Sequence, residues 1–420
     1  MKFTIISFLI LSFSLSAFAA IKPTMSAKER LMQRKAGLTS KITHKRLERA
    51  FRYSRNKEDN KAVAELLQLL KQTEKRRYEY ALVWQNLGFT LAGSGNNKKA
   101  IKALKNALKV NTLPYAPTMS TLYTLAQLQF AEESFEDAHA TLTEWFSLAE
   151  KRTAQSYMLM GMILGQKGEK AKALDYVNQA INLEAKPQEK WLQYALSLNH
   201  SLERFQNALK ILITLTSQYP EKGRYWKQLY QTYLSLFEDE KALAIMEMAY
   251  KEGHITEESE INNMVSLMIF LKMPYKGAVV LDKEIQAGRV KETKENLELL
   301  SQAFYQAREL DLAVEVLERA GNLSNDGEIL AKRGYMLLEG DKVAEAINSF
   351  EKSLVKGKLK DTGKVHYAIG LAHFSNNELD LALASLKKAQ KHKKDDSSVA
   401  NLIDQIKNQK MALSEQNAGL

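Results

Sequence analysis

The sequence predicts an all-α chain of stacked helix pairs, and three observations carry this prediction. The first is an alanine that recurs at intervals of 33 to 38 residues. Its copies are Ala62, Ala100, Ala138, Ala173, Ala208, Ala242, Ala278, Ala313, Ala346 and Ala382. The second is that no proline interrupts a proposed helix, where it would break the hydrogen-bond ladder. The third is that turn-forming clusters, such as residues 93–97 and 375–377, fall between two apolar helical segments.

The residues around each alanine resemble the tetratricopeptide (TPR) repeat. That motif places a large residue, Leu-Gly, aromatics and alanines at fixed offsets over about 34 residues and ends near a proline. Trp84, Leu87 and Gly88 match the first helix of the motif, and Pro220 stands where the motif has its proline. The resemblance implies that a small side chain is needed wherever the two helices cross closely.

The copies differ in quality along the chain. The best copies are the units of Ala100, Ala173, Ala242 and Ala346. In the unit of Ala278, Asn262 replaces the large residue and Asp282 the inner aromatic, so this unit is expected to pack least regularly. The resemblance covers about residues 43–395 and implies an α-solenoid, or superhelix, of about ten helix pairs.

Two segments depart from the repeat. Residues 111–118, with Pro114 and Pro117, lengthen one connection and are either a binding element or a harmless insertion. Residues 253–258 precede the degenerate unit, where Pro274 also lies, and indicate a place where the stack flexes or divides.

The N-terminal residues have the composition of a secretory signal peptide. Lys2 gives a positive start, Phe3 to Phe18 is mainly apolar, and residues 17–19 form a small-x-small cleavage site. A membrane anchor, the competing interpretation, needs about 20 apolar residues, and this run is shorter. We therefore expect residues 1–19 to be removed and the protein to be exported to the periplasm. Because the chain has no cysteine, neither lipid attachment nor disulfides are expected.

A basic arm, residues 20–42, is predicted to open the mature chain. Between Lys22 and Lys57, twelve Lys or Arg stand against two Glu. Such a block suits anionic lipid headgroups, lipopolysaccharide phosphates or an acidic protein segment, and it also suits a polar cap that keeps the stack soluble. Nucleic acid is not expected, because no reading motif accompanies the block. The basic residues proposed for contact are Arg30, Arg34, Lys35, Lys45, Arg46, Arg49 and Arg52.

Motifs for catalysis, cofactors and metals are missing from the sequence. The seven histidines form no His-Glu-x-x-His pair, and no cysteine is present to complete a zinc site. His366 and His373 lie seven residues apart on one predicted helix, and because two histidines without a carboxylate partner do not complete a usual metal site, they are expected to be groove or packing residues. The sequence therefore predicts a non-enzyme without cofactor or metal. The alternative, an enzyme with an unrecognised site, predicts a deep pocket with converging titratable groups.

In TPR proteins the first helices of successive units line a concave groove that binds partners. The resemblance places its contacts at the second, fifth, ninth and twelfth positions of each first helix. In the N-terminal units these partner-groove residues are Leu82, Gln85, Phe89, Tyr123, Gln127, Phe130, Met158, Met162, Gln193 and Ser197. In the later units they are Arg224, Lys227, Gln231, Tyr305, Tyr335, Tyr367 and Phe374. These side chains suit a bound peptide or helix, and about half of the aromatics are expected to pack on neighbouring helices instead.

The C-terminal residues complete the predicted architecture. Residues 395–398 carry an N-terminal helix signal, and 396–413 form a predicted capping helix with Ile403 and Ile406 on one side. Residues 414–420 are expected to be a frayed, disordered tail.

The layout as a whole, an exported, cysteine-free chain with a basic arm and about ten helix pairs, is similar to the TPR proteins of the TonB energy-transduction system. That similarity implies a periplasmic accessory that contacts envelope proteins during outer-membrane uptake of iron complexes. Two functions are therefore weighed. One is a non-catalytic scaffold that binds peptides or helices in its groove, and the other is a peripheral envelope organiser that binds lipid or cell wall through its basic arm.

Overall fold

The structure, a computed structural model, describes residues 25–392 and 397–418. Those residues form 22 helices and no strand, so the predicted all-α class is confirmed. The predicted signal peptide, residues 1–19, lies outside the described residues.

The helices divide between two units, with described residues 25–204 in the first and 205–418 in the second. The first unit contains α1 (Ala27–Met32), α2 (Lys41–Arg55), α3 (Asp59–Thr73), α4 (Arg77–Gly93), α5 (Asn97–Val110), α6 (Tyr115–Ala131), α7 (Phe135–Leu148), α8 (Ala154–Gln166), α9 (Lys170–Asn182) and α10 (Glu189–Ser201). The second unit contains α11 (Phe205–Gln218), α12 (Gly223–Ser235), α13 (Asp239–Lys251), α14 (Glu258–Phe270), α15 (Pro274–Gln286), α16 (Lys294–Gln306), α17 (Leu310–Leu323), α18 (Glu328–Glu339), α19 (Val343–Lys356), α20 (Thr362–Ser375), α21 (Leu379–His392) and α22 (Ser397–Ala418).

Within each unit, neighbouring helices along the chain pack on one another as successive pairs. We call the even-numbered helices α2 to α20 the A-helices and the odd-numbered helices α3 to α21 the B-helices. All ten recurring alanines lie near the start of a B-helix, and each has 0% of its surface exposed. Glycine on the A-helix makes some of these crossings close, because a Cβ at Gly161 would lie 2.6 Å from Val177 Cγ2. At Gly334 it would lie 2.6 Å from the Phe350 ring.

The turn from each A-helix to its B-helix uses one recurring backbone conformation. A residue with positive φ precedes the buried alanine by five positions, or by six in the unit of Ala278. These residues are Lys57, Gly95, Glu133, Gly168, Glu203, Phe237, Lys272, Arg308, Asp341 and Asn377. The N–H of the next residue donates back to the A-helix, as from Asn96 to the Leu91 carbonyl at 2.9 Å. This is the bond of a Schellman cap, so the turn is fixed by backbone geometry even where no glycine is present.

The connection at residues 111–118 is shorter than the sequence indicates. Helix α6 begins at Tyr115, so Pro117 lies in its first helical turn, where the missing N–H of proline has no intrahelical partner to lose. Pro274 likewise occupies the first position of α15. The loop therefore reduces to residues 111–114.

Two further helices, α1 and α22, precede and follow the ten pairs in the sequence. The short helix α1 begins with a capping box between Ser26 and Glu29 and packs on α7. Helix α22 packs on α21, and Ile403 and Ile406 are buried. Helix α22 continues to Ala418, past the predicted end of the capping helix at residue 413.

Candidate binding groove

Helices α6, α8 and α10 of the first unit enclose an apolar cavity of about 290 Å³. Its lining residues are Phe130, Met158, Met162, Gln166, Lys190, Trp191 and Tyr194. Three of them, Phe130, Met158 and Met162, are predicted groove residues, and they come from two successive A-helices. Gly165 allows the Tyr194 ring to lie against α8, because a Cβ there would overlap the Tyr194 hydroxyl. The cavity can hold one large apolar side chain of a partner, with an amide and an ammonium group at its edge.

A second cavity of the first unit, about 200 Å³, lies where α2 and α4 meet. Its lining residues are Leu47, Ala50, Phe51, Ser54, Leu66, Asn86, Phe89 and Thr90. Phe89 is a predicted groove residue, and the Phe51 ring is 63% exposed. This cavity is therefore also an apolar recess on the A-helices.

In the second unit, the corresponding cavity lies between α12, α13 and α14 and measures about 490 Å³. Its lining residues are Lys227, Tyr230, Gln231, Leu234, Met246, Ser259, Glu260, Asn263, Ser266, Leu267 and Phe270. Lys227 and Gln231 are predicted groove residues. Its rim is charged, because the Lys227 Nζ lies 2.7 Å from a Glu260 carboxylate oxygen.

The same carboxylate accepts a hydrogen bond from the Tyr230 hydroxyl at 3.4 Å. Burial of the ring, followed by the nearby Glu260 charge, raises the pKa of Tyr230 to about 12. Tyr230 is therefore a neutral donor at physiological pH. The cavity presents a polar rim over an apolar floor.

Some predicted groove residues of the first unit pack inside it instead. The Gln85 amide is buried and donates to the Pro117 carbonyl at 2.9 Å and to Thr121 Oγ1 at 2.8 Å. The Tyr123 ring lies 5.5 Å from the ring of Trp145, and burial raises its pKa. Two further predicted residues, Gln127 and Ser197, are exposed, whereas Leu82 and Gln193 are half-buried.

Several predicted residues of the second unit also contact neighbouring side chains. Tyr335 packs edge-on against Phe350, with ring centroids 4.9 Å apart. Tyr367 and Phe374 pack against the apolar cluster of α21 and α22. Tyr305 donates to Glu339 at 2.8 Å, and the Arg224 guanidinium lies over the Tyr225 ring.

Two A-helices for which no groove residues were predicted, α2 and α14, also line these cavities. On α14 the omitted residues are Glu260, Asn263, Leu267 and Phe270, and on α2 they are Leu47, Phe51 and Ser54. The repeat register was sufficient to identify these residues. Counting back from Ala278 and Ala62, as in the other units, reaches these positions. The irregular residue Asn262 obscured it on α14.

The predicted basic residues have three kinds of surroundings. Arg34 donates to the Leu113 carbonyl at 2.9 Å and to Asn111 Oδ1 at 3.0 Å, which fastens the arm to the loop before α6. Arg46 binds Glu65 at 2.6 Å, and this hydrogen bond holds the pKa of Glu65 below its usual value. The Arg30 guanidinium donates to the Met25 carbonyl. The exposed remainder are Lys35, Lys45, Arg49 and Arg52.

His366 and His373 do not form a pair. The His366 ring stacks on His392 with centroids 5.9 Å apart, and His373 lies 2.5 Å from Glu378. Among the described residues, no group of three or more His, Cys, Asp or Glu is placed to hold a metal ion. None of the described helices combines the length and apolar character needed to cross a membrane.

Comparison with protein families agrees with this geometry. Tetratricopeptide repeat models match residues 81–112, which cover most of α4 and all of α5, residues 154–187, which contain α8 and α9, and residues 332–398 near the C-terminus. These segments are tetratricopeptide repeats. The remaining TPR-like pairs keep the same buried alanine and the same left-handed turn. No curated protein matches the chain.

Solved structures similar to this chain share little sequence with it. MamA from Desulfovibrio magneticus RS-1 is 16% identical, with 44% of this chain and 99% of that chain covered and a TM-score of 0.37. YrrB, described as a TPR protein with an unusual peptide-binding site, is 19% identical, with 46% and 96% covered and a TM-score of 0.35. A tetratricopeptide repeat protein from Parabacteroides merdae is 16% identical, with 60% and 98% covered and a TM-score of 0.30.

Proposed function

We propose that this TPR protein is a non-catalytic scaffold that binds a peptide or helical segment of a protein partner along its A-helices. The observation that carries the proposal is the cavity of α6, α8 and α10, where Phe130, Met158 and Met162 form an apolar recess. Helical segments dock into such grooves through a few apolar anchors at helical spacing. Methionine at the contact adapts to the shape of the partner.

A binding measurement with and without the recess tests the scaffold role. Gly165→Phe should displace the Tyr194 ring from its place against α8 and so abolish capture of a partner peptide, whereas a Cβ at Gly168, with no neighbour within 4 Å, leaves the recess unchanged. Gly168→Asn is the matched control, because asparagine tolerates the positive φ at that turn. Equal binding by both variants would contradict the assignment of the recess.

A more specific proposal concerns the cellular location of the protein and the identity of its binding partner. The basic start, apolar run and small-x-small site of residues 1–19 support export, and the layout supports a periplasmic accessory of the TonB system that contacts envelope proteins. Fractionation of cells that produce the tagged chain should place it in the periplasm. Proximity labelling should then recover TonB-system components, and recovery of cytoplasmic proteins alone would reject this form.

A second candidate function, an envelope organiser that binds anionic surfaces, is favoured by one observation. Leu38 and Ile42 are 96% and 66% exposed beside the cations of α2, and cations next to exposed apolar side chains suit a lipid interface. Sedimentation with anionic vesicles tests it. Binding that is lost when Ile42 and Leu38 are changed to serine would support this function over the scaffold.

A further inference from the structure

The groove of the first unit is uncharged over four A-helices. From Leu47 of α2 to Met162 of α8, the groove positions carry no Lys, Arg, Asp or Glu. These positions are Leu47, Phe51, Ser54, Leu82, Gln85, Phe89, Ala92, Ser120, Tyr123, Gln127, Phe130, Gln155, Met158 and Met162. Lys190 is the one charged residue among those that line the two described cavities of this unit. The groove therefore favours an uncharged, largely apolar segment of a partner.

The helix at one end of this groove carries a stripe of cations. Lys41, Lys45, Arg49 and Arg52 recur at helical spacing, so they share one face of α2, and all four are exposed. On the opposite face, Thr43 and Ala50 are buried. Among the described residues, Lys41, Lys45 and Arg52 have no carboxylate within 4.0 Å, and Arg49 has Glu65 at 3.5 Å. We call these four residues the α2 stripe.

Groove and stripe belong to the same helix. Leu47 and Phe51 line the cavity shared with Phe89, and they lie one or two turns from the stripe cations. The stripe lies on the other side of α2 from Ala50, and an α-helix with its side chains is only about 10 to 12 Å across, so a segment that crosses α2 at Phe51 reaches the stripe within about one helix width. A segment that covers Phe51 meets the stripe when it leaves the groove.

We propose that the partner segment is apolar where it lies in the groove and continues into a run of aspartate and glutamate that the α2 stripe holds. This inference rests on the proposed scaffold function and names the chemistry of its partner. The three cations without a carboxylate supply charge complementarity, and they also attract the acidic run before contact is made. Much of the remaining arm is engaged inside the chain, because Lys28 donates to the Ala149 carbonyl and Arg34 to the Leu113 carbonyl.

Three fluorescent peptides test the proposal by anisotropy with the full chain. All share one apolar half of leucine, methionine, phenylalanine and alanine. The acidic-tail peptide continues into glutamates, the neutral-tail peptide into glycine and serine, and the basic-tail peptide into lysines. The acidic tail should bind most tightly and the basic tail most weakly, and added salt should weaken the acidic tail alone.

Charge reversal on the stripe supplies the decisive variant. The triple variant Lys41→Glu, Lys45→Glu and Arg52→Glu should weaken the acidic-tail peptide about tenfold and leave the neutral-tail peptide unchanged. The matched control reverses three exposed lysines of α5 that also lack a carboxylate partner among the described residues. Its changes are Lys98→Glu, Lys99→Glu and Lys102→Glu. Circular dichroism checks that both variants keep the helicity of the parent.

Each outcome separates this inference from the function on which it rests. If all three peptides bind equally, or if the two triple variants behave alike, the acidic continuation is wrong and the scaffold role stands. If no peptide binds, both are wrong. If the tails make no difference but phosphatidylglycerol vesicles bind the parent and not the stripe variant, the stripe serves a lipid surface and the inference fails.

Discussion

The two units build the same helix pairs but present different groove chemistry. In the first unit the groove positions from Leu47 to Met162 are uncharged. In the second unit the groove positions include Arg224, Lys227, Glu260, Glu295, Glu298, Glu328 and Lys364. The buried alanine and the left-handed turn recur in both. Because the buried alanine and the turn recur whichever residues occupy the exposed groove positions, one scaffold can carry two surfaces of different chemistry.

The largest expected effect tests whether the two units share one packing rule. Ala138→Leu in the first unit and Ala242→Leu in the second should each lower the free energy of unfolding by about 1 to 3 kcal/mol, because neither 0%-exposed site has room for the added atoms. Ala140→Leu and Ala244→Leu lie two residues further along the same helices, are exposed, and should change it by less than about 0.5 kcal/mol. Urea denaturation followed by circular dichroism measures both. Unfolding of all four variants at the same urea concentration would refute the packing rule.

The next effect separates the two grooves by binding. Phe130→Ala should weaken the neutral-tail peptide about thirtyfold, or about 2 kcal/mol, because it removes an apolar anchor from the first groove. Phe270→Ala, the aromatic truncation in the cavity of the second unit, should leave that peptide unaffected. Anisotropy titrations compare the two variants. Equal losses would show that the uncharged groove is not the binding surface.

A smaller effect is expected from removal of a buried charge in the second unit. Glu284 is fully buried, and hydrogen bonding from Arg289, followed by that from Tyr250, holds its pKa below the usual value. A depressed folded-state pKa contributes stability above the unfolded-state value, and that stability is lost as the pH falls through the folded-state pKa. Glu284→Gln should cost about 1 to 2 kcal/mol at neutral pH and flatten the acid limb of the stability curve.

Hydrogen exchange of α15 amides at several pH values measures this effect in the second unit. The exposed Glu240→Gln provides the control, since that side chain lies on the surface of α13. An acid limb that is unchanged in Glu284→Gln would show that other carboxylates dominate it.

The smallest effect concerns the turns. The first unit uses glycine for its left-handed residue at Gly95 and Gly168, whereas the second unit places Phe237 in that conformation with 89% of its surface exposed. Phe237→Gly should raise the free energy of unfolding by about 0.5 kcal/mol, since relief of left-handed strain outweighs the added chain entropy. Gly168→Phe should lower it by a similar amount. Denaturation curves test the opposite signs, and a loss of stability in Phe237→Gly would mean that its ring makes a stabilising contact.

The sequence predicted the repeating parts of the fold well because each unit restates them. Ten alanines at one spacing leave little freedom in where the B-helices begin, and all ten are buried. The turns were harder to assign in detail, because residues such as Phe237 and Arg308 have no left-handed preference. There the helix caps impose the conformation through backbone hydrogen bonds.

The groove could be predicted only in part. The same position of the repeat carries an exposed side chain in some units and a side chain packed inside the chain in others. The buried Gln85 amide donates hydrogen bonds to the Pro117 carbonyl and to Thr121. These are tertiary contacts that no local sequence pattern encodes. Arg34 likewise reaches the Leu113 carbonyl from a distant part of the chain. By contrast, Glu260 and Phe270 followed the repeat register and were missed because Asn262 breaks the consensus beside them.

Photo-cross-linking of the neutral-tail peptide tests most directly whether the uncharged groove of the first unit is the binding surface. The peptide carries a photoreactive residue at its apolar centre, and mass spectrometry maps the attachment sites on the full chain. We predict attachment on α4, α6 and α8, at or beside Phe89, Phe130 and Met162. Attachment confined to α12 and α14, or to the B-helices, would contradict the account.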